Sequence, residues 1–269
     1  MSPETTAGEL KSCCATLYES DLARMLLGDS FHPGGLRLTR RLGENLGLRP
    51  GMRVLDVASG KGESAIFLAE TFGCEVVGID FGPENVRQSS VRAAQSPAAS
   101  LIRICQGDAE KIDFPALSFD AVICECAFCT FPDKAQAAAE FVRVLKPGGQ
   151  VGLSDLTRAA TLPPELTGLL AWVACIADAR PVAEYAGYLE SAGLVNVAME
   201  PHDEALAEMV RDIQGKLLGV EIMSKLKKID LGGVDFTQAK SMARAASDAV
   251  RARTLGYAIL TGRTPVPAA

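Results

Sequence analysis

The sequence has no long apolar run. Its longest, Leu166 to Ala179, falls well short of the roughly 20 residues that span a bilayer, so no membrane-crossing helix is expected. It has no surplus of basic residues either: 33 acidic side chains face 27 basic ones, for a net charge of -6. A protein that grips nucleic acid by charge is thereby excluded. Met1 to Lys11 shows no basic stretch followed by an apolar one, so nothing there reads as a signal or transit peptide, and a cytoplasmic location is expected. No long Pro-, Gly- or Ser-rich linker and no internal repeat divides the chain. Histidine is scarce, with two residues, and the eight cysteines lack the spacing of a secreted disulfide framework. They cluster instead as Cys13-Cys14 and Cys124-x-Cys126-x-x-Cys129, which suits reduced thiols. What remains is ordinary globular usage, 48% hydrophobic and 22% charged over 269 residues. That is enough to bury a sizeable core without metals or staples.

From Arg53 an apolar stretch, Val-Leu-Asp-Val, breaks into Ala-Ser-Gly-Lys-Gly, and Glu63 to Thr71 then has helical spacing. This predicts a strand, a tight loop and a helix. Further strands are expected at Glu75 to Ile79, Leu101 to Gln106, Ala121 to Cys124 and Gln150 to Ser154, with helices between them. The helix over Ala135 to Leu145 should stop at Lys146-Pro147-Gly148-Gly149. After a helix around Pro181 to Ala192, strands follow at Val195 to Glu200 and Gly256 to Thr261. Repeated strand–helix units imply a parallel sheet covered on both faces. Glu204 to Arg253 carries Leu206, Met209, Val210 and Ile213 at helical spacing and is expected to fold over the sheet as a lid. One domain is expected, divided into an N-terminal helical cap (1–45), a core (46–203), a helical insertion (204–253) and a last strand with its tail (254–269).

The stretch Asp56-Val57-Ala58-Ser59-Gly60-Lys61-Gly62 puts small residues where a chain leaving a strand turns sharply and lets a ligand approach the backbone. Taken alone it is equally a plain tight connection. Asp80, at the end of the next strand, can accept hydrogen bonds from both hydroxyls of a ribose, and Asp108-Ala109, after the third, is placed for an adenine edge. Phe81 and Cys124, at the ends of the second and fourth strands, complete the candidate cofactor set of Asp56, Ala58, Ser59, Gly60, Gly62, Asp80, Asp108 and Ala109.

These residues resemble the class I S-adenosylmethionine-dependent methyltransferases over about Leu46 to Val197. Four places carry the likeness: the Asp56 to Gly62 loop, Val77-Gly78-Ile79-Asp80, Gly107-Asp108-Ala109 and Leu145-Lys146-Pro147-Gly148-Gly149. Ala58 stands where the family has its first loop glycine. The Gly-x-Gly-x-x-Gly spacing of a dinucleotide dehydrogenase is absent from this loop. The resemblance implies an α/β fold, a seven-stranded, mostly parallel, Rossmann-like methyltransferase sheet with helical cap segments, and S-adenosyl-L-methionine as cofactor.

Two further stretches resemble the arsenite methyltransferases. In Phe119-Asp120-Ala121-Val122-Ile123-Cys124-Glu125-Cys126, Cys126 matches a family cysteine just beyond the fourth strand. In Ala174-Cys175-Ile176-Ala177-Asp178-Ala179, followed by Tyr185, Leu189 and Ala192-Gly193-Leu194, Cys175 matches a cysteine that binds trivalent arsenic. Ser12-Cys13-Cys14 is similar to the pair near the start of many members. The resemblance implies Cys175, Cys126, Cys14 and Cys13 as acceptor-site thiols, with Cys175, Cys126 and Cys14 as metalloid ligands, and soft As(III) is held best by thiolates. The family's later cysteine has no counterpart after Cys175.

Each feature also has a plainer reading. Free cysteines are among the most buried residues, so Cys126, and more so Cys124 and Cys129, could be core, as Cys74 and Cys105 are expected to be. His32, in Phe31-His32-Pro33-Gly34-Gly35, reads as a loop residue before a catalytic base. Trp172 and Leu169-Leu170 read as core before pocket lining. The expected partner is a small-molecule or metalloid substrate, with no nucleic acid and no membrane. Two alternatives stay open: a methyltransferase of a small organic acceptor of quinone, sterol or amine type, and a non-catalytic thiol-rich protein that binds metalloid.

Overall fold

A computed structural model of the chain describes residues 32–167, 176, 178–225 and 235–266. Cys13, Cys14, Cys175, Trp172, Leu169 and Leu170 lie outside the described residues. The elements in chain order are α1 (Gly35–Asn45), β1 (Arg53–Val57), α2 (Glu63–Phe72), β2 (Glu75–Asp80), α3 (Pro83–Gln95), β3 (Ile102–Gln106), β4 (Phe119–Glu125), α4 (Lys134–Val144), β5 (Leu145–Arg158), α5 (Val182–Ser191), β6 (Val195–Pro201), α6 (Asp203–Lys225), α7 (Phe236–Arg251) and β7 (Leu255–Arg263).

The strands form one seven-stranded sheet in the order β3-β2-β1-β4-β5-β7-β6. The first five are mutually parallel, while β7 runs antiparallel to both β5 and β6. Strands β1 and β4 are buried almost throughout, as their continuous apolar sequences require when helices cover both faces. Because the strand order reverses between β1 and β4, the carboxyl ends of these two parallel central strands form the crevice where open α/β sheets take ligands.

The fifth strand is longer than its apolar run suggested. It starts at Leu145, which pairs with Phe119, and continues to Arg158, which pairs with Leu255. Lys146-Pro147-Gly148-Gly149 therefore lies within the strand, not between elements. The register shifts between Phe119 and Ala121, and Gly148 takes φ 75°, so the ladder absorbs the proline. Strand β4 likewise extends from the expected Ala121–Cys124 to Phe119–Glu125 because β5 pairs with both ends.

Helix α1 lies against β5. Leu38, Leu42 and Leu46 are buried, and each such leucine contributes about 1.5–3 kcal/mol. Gly152 makes this approach possible, since a Cβ there would stand 2.7 Å from Leu42 Cδ1 and 2.8 Å from Leu46 Cδ1. Between β6 and β7 the expected helical segment is two helices, α6 and α7, the latter capped by Asp235 accepting from the Thr237 and Gln238 amides. Among the described residues no helix is long and apolar enough to cross a membrane.

Candidate functional site

The loop after β1 is fixed from within. The Ser59 amide donates to the Ile79 carbonyl at 2.9 Å and the Gly62 amide to the Ser59 carbonyl at 2.8 Å. Ala58, Gly60 and Gly62 take φ of 56°, 52° and 76°. An alanine thus holds the left-handed conformation that a glycine adopts freely, at a cost of roughly 1–2 kcal/mol. Asp80 stitches the loop to the next unit: Oδ2 accepts from the Gly60 amide at 2.8 Å, and Oδ1 from the Gly82 amide at 2.8 Å and Asn85 Nδ2 at 3.1 Å. Its expected place at the end of β2 is what the structure shows, and its carboxylate already orders the backbone around the crevice. Phe81 follows, 37% exposed. Asp108 caps its own turn, accepting from the Glu110 amide at 3.0 Å, and Ala109 is buried beside it.

The ends of β1 and β4 concentrate buried acid. Asp56 is 2% exposed, and its carboxyl is held well above the usual carboxylate range, first by burial and then by the nearby Glu125 and Asp80 charges. Glu125 was not singled out from the sequence, yet it is the hub of this corner. It accepts from Ser64 Oγ at 2.6 Å and from Thr39 Oγ1 at 3.1 and 3.3 Å, and it lies 3.8 Å from His32 Nε2. A carboxylate closing an otherwise apolar strand was the available signal, since a buried charge needs partners. Among the described residues, Asp56 Oδ2 and Ser59 Oγ are buried without a hydrogen-bond partner. An acidic, oxygen-lined crevice with unmet acceptors fits a ligand that brings ammonium and hydroxyl groups, as S-adenosylmethionine does.

The cysteines divide. The Cys124 side chain is fully buried and its thiol is pushed well up by burial and by Asp155, Asp56 and Glu125, so only its backbone is available to a ligand. Cys129 is buried, its amide donating to Asp155 Oδ2 at 2.8 Å. Burial raises the Cys74 thiol to about 11 and also raises that of Cys105. Cys126 differs: it is half-buried, it takes φ 53°, and its amide donates to the Ser154 carbonyl at 2.7 Å. Tyr257, which donates to Ser154 Oγ at 2.9 Å, has its hydroxyl pushed up by burial, Cys126 and Glu125, which places Cys126 in this acidic corner. A strained non-glycine backbone at a ligand edge is the kind of outlier that marks a site. Among the described residues no three His, Cys, Asp or Glu side chains form a metal-sized cluster. The described residues after position 175 are anchored beside β5: Asp178 pairs with the buried Lys134 Nζ and with Arg180 at 2.6 Å, and Arg180 bridges to Thr157.

Residues 55–153 match the family described as a methyltransferase domain. Over that stretch, the match, the sheet order and the acid-ended strands are those of a class I S-adenosylmethionine-dependent methyltransferase domain. Among its relatives, the 27-O-demethylrifamycin SV methyltransferase of Amycolatopsis mediterranei is 28% identical over 266 residues, 91% of this chain and 94% of that protein. The arsenite methyltransferase of Halobacterium salinarum is 29% identical over 174 residues, 61% of this chain and 42% of that protein. The chain spans 35% and 46% of the lengths of two other curated methyltransferases that it matches. In fold it is similar to the cyclopropane synthase MmaA2 of Mycobacterium tuberculosis, with a TM-score of 0.80 at 16% identity, covering 97% of this chain and 100% of that one.

Proposed function

We propose that the chain transfers the methyl group of S-adenosylmethionine to trivalent arsenic or a similarly soft metalloid held by cysteine thiolates. The observation that carries this reading is Cys126, a half-buried thiol in a strained backbone at the carboxyl edge of β4, one residue beyond Glu125. Asp56 to Gly62, Asp80 and Phe81, Asp108 and Ala109 hold the cofactor, and the Cys124 backbone lines its floor. The cofactor supplies an electrophilic sulfonium methyl. Cys126, with Cys175 and Cys14 or Cys13, holds the acceptor in line with it, and a thiolate-held arsenic lone pair needs no strong base. Helices α6 and α7, with α1, cover the acceptor and exclude water.

The test is a labelled methyl-transfer assay with arsenite, selenite and a quinone panel in the presence of glutathione. The reading expects transfer to arsenite that collapses in Cys126→Ser and Cys175→Ser while cofactor binding survives. A serine keeps the size but replaces a soft ligand with a hard one. Transfer to an organic acceptor alone would support the second reading, an organic-acceptor methyltransferase, which the near full-length match to the rifamycin enzyme favours. Cofactor binding with no transfer to any acceptor would leave the non-catalytic metalloid binder.

A further inference from the structure

The corner around Glu125 contains a residue that none of the above explains. His32 is 8% exposed and leads into α1 through the turn Pro33-Gly34-Gly35. The turn allows little freedom: Gly34 takes φ 75°, and a Cβ there would stand 2.5 Å from Leu38 Cγ. It returns Thr39, one helical turn into α1, to the imidazole, with His32 Nε2 3.4 Å from Thr39 Oγ1. Thr39 has one hydroxyl hydrogen, and it points at Glu125, whose carboxylate can only accept. Toward His32, Thr39 is therefore the acceptor and Nε2 the donor. On the other side, Nδ1 lies 3.3 Å from the Pro33 carbonyl, which also only accepts. The ring is thus wedged between the turn and Thr39, with Nε2 also 3.8 Å from the Glu125 carboxylate.

The work of the ring lies in what it holds. Glu125 is approached by three side chains: His32 just before α1, Thr39 within α1, and Ser64 in the first turn of α2. Held there, it faces Asp56, whose Oδ2 has no hydrogen-bond partner. Two fixed carboxylates at one edge make a receptor for a cationic group.

We propose that His32 and Thr39 are positioning residues that lock Glu125 against Asp56, so that the pair receives the cationic amino-acid end of the cofactor, and that the segment entering α1 is thereby part of the cofactor site. This rests on the cofactor placement proposed above, which Asp80→Ala tests separately. The experiment is titration of S-adenosylmethionine into wild type, Thr39→Val, Thr39→Ser and Asp80→Ala. Thr39→Val keeps the shape and deletes the hydroxyl, and should weaken binding about tenfold or more, the loss expected for a hydrogen bond to a charged group. Thr39→Ser restores the hydroxyl and should stay within about twofold of wild type, a rescue that a packing role would not show. If Asp80→Ala weakens binding while Thr39→Val does not, this inference is wrong and the placement stands. If neither weakens it, the placement is wrong as well. Should Thr39→Val fail to fold, Thr39→Ala replaces it: binding about tenfold weaker that Thr39→Ser restores supports the lock, and an affinity within about twofold of wild type overturns it.

Discussion

The buried acid at the mouth of β1 stores a cost that a single substitution should release. Asp56→Asn keeps one acceptor oxygen, removes the charge, and turns an amide donor toward Glu125, a neighbour whose charge now raises the Asp56 carboxyl. An acceptor buried without a partner costs about 1–3 kcal/mol, so the variant without ligand should be more stable than wild type by about that amount at pH 7. At this chain length each kcal/mol corresponds to about 2–4 °C in Tm. The pH dependence fixes the sign. Because the carboxyl is raised in the folded state, folded protein takes up this proton before unfolded protein does as pH falls. Its unfavourable contribution is complete above the folded value and absent below the unfolded one, so the advantage of Asp56→Asn should shrink as the pH is lowered from 7 toward 4. Urea unfolding of both proteins at several pH values measures this. The same variant should gain less stability from S-adenosylmethionine than wild type does. A variant less stable than wild type at pH 7, or an advantage that ignores pH, would refute the reasoning.

Other consequences are as direct. Asp80→Ala removes the acceptor of the Gly60, Gly82 and Asn85 donors, and S-adenosylmethionine binding should weaken about ten- to a hundredfold by calorimetry, with unchanged affinity counting against the assignment. Ala58→Gly relieves the left-handed strain and should raise thermal stability by about 1 kcal/mol while leaving the loop's hydrogen bonds intact; a lower Tm would contradict the strain. Amide exchange in α6 and α7 should slow when cofactor and acceptor bind, and identical exchange with and without ligands would remove these helices from the site.

The sequence exposed the frame of the sheet because its signals are local. Apolar runs ending in Asp56, Asp80 and Asp108 mark strand ends, and the small residues between Ala58 and Gly62 mark the turn. Strand length was less legible. Nothing near Lys146-Pro147-Gly148-Gly149 says that Phe119 and Val266 lie alongside it, and pairing across the sheet decides where β5 starts. The thiols were legible as a cluster but not as individuals, since Cys124 lies in the buried end of β4 whereas Cys126 lies just past it with φ 53°, and nothing in the local sequence tells a core thiol from an edge thiol two positions on. Glu125 was overlooked and His32 was read as a loop residue for a related reason. Their meaning comes from Thr39 and Ser64, which are distant in sequence, and a lone histidine before Pro33 looks like any loop residue until its partners are in place.

The central claim is that a thiol site built around Cys126 presents a soft metalloid to S-adenosylmethionine. The most direct measurement is mass analysis of the arsenic species formed from arsenite, glutathione and S-adenosylmethionine by wild type and by Cys126→Ser. Methylated arsenic in the wild-type reaction, lost in the variant while its cofactor affinity is unchanged, is the predicted result. Unmethylated arsenite with the wild type, or equal methylation by both proteins, would contradict the claim.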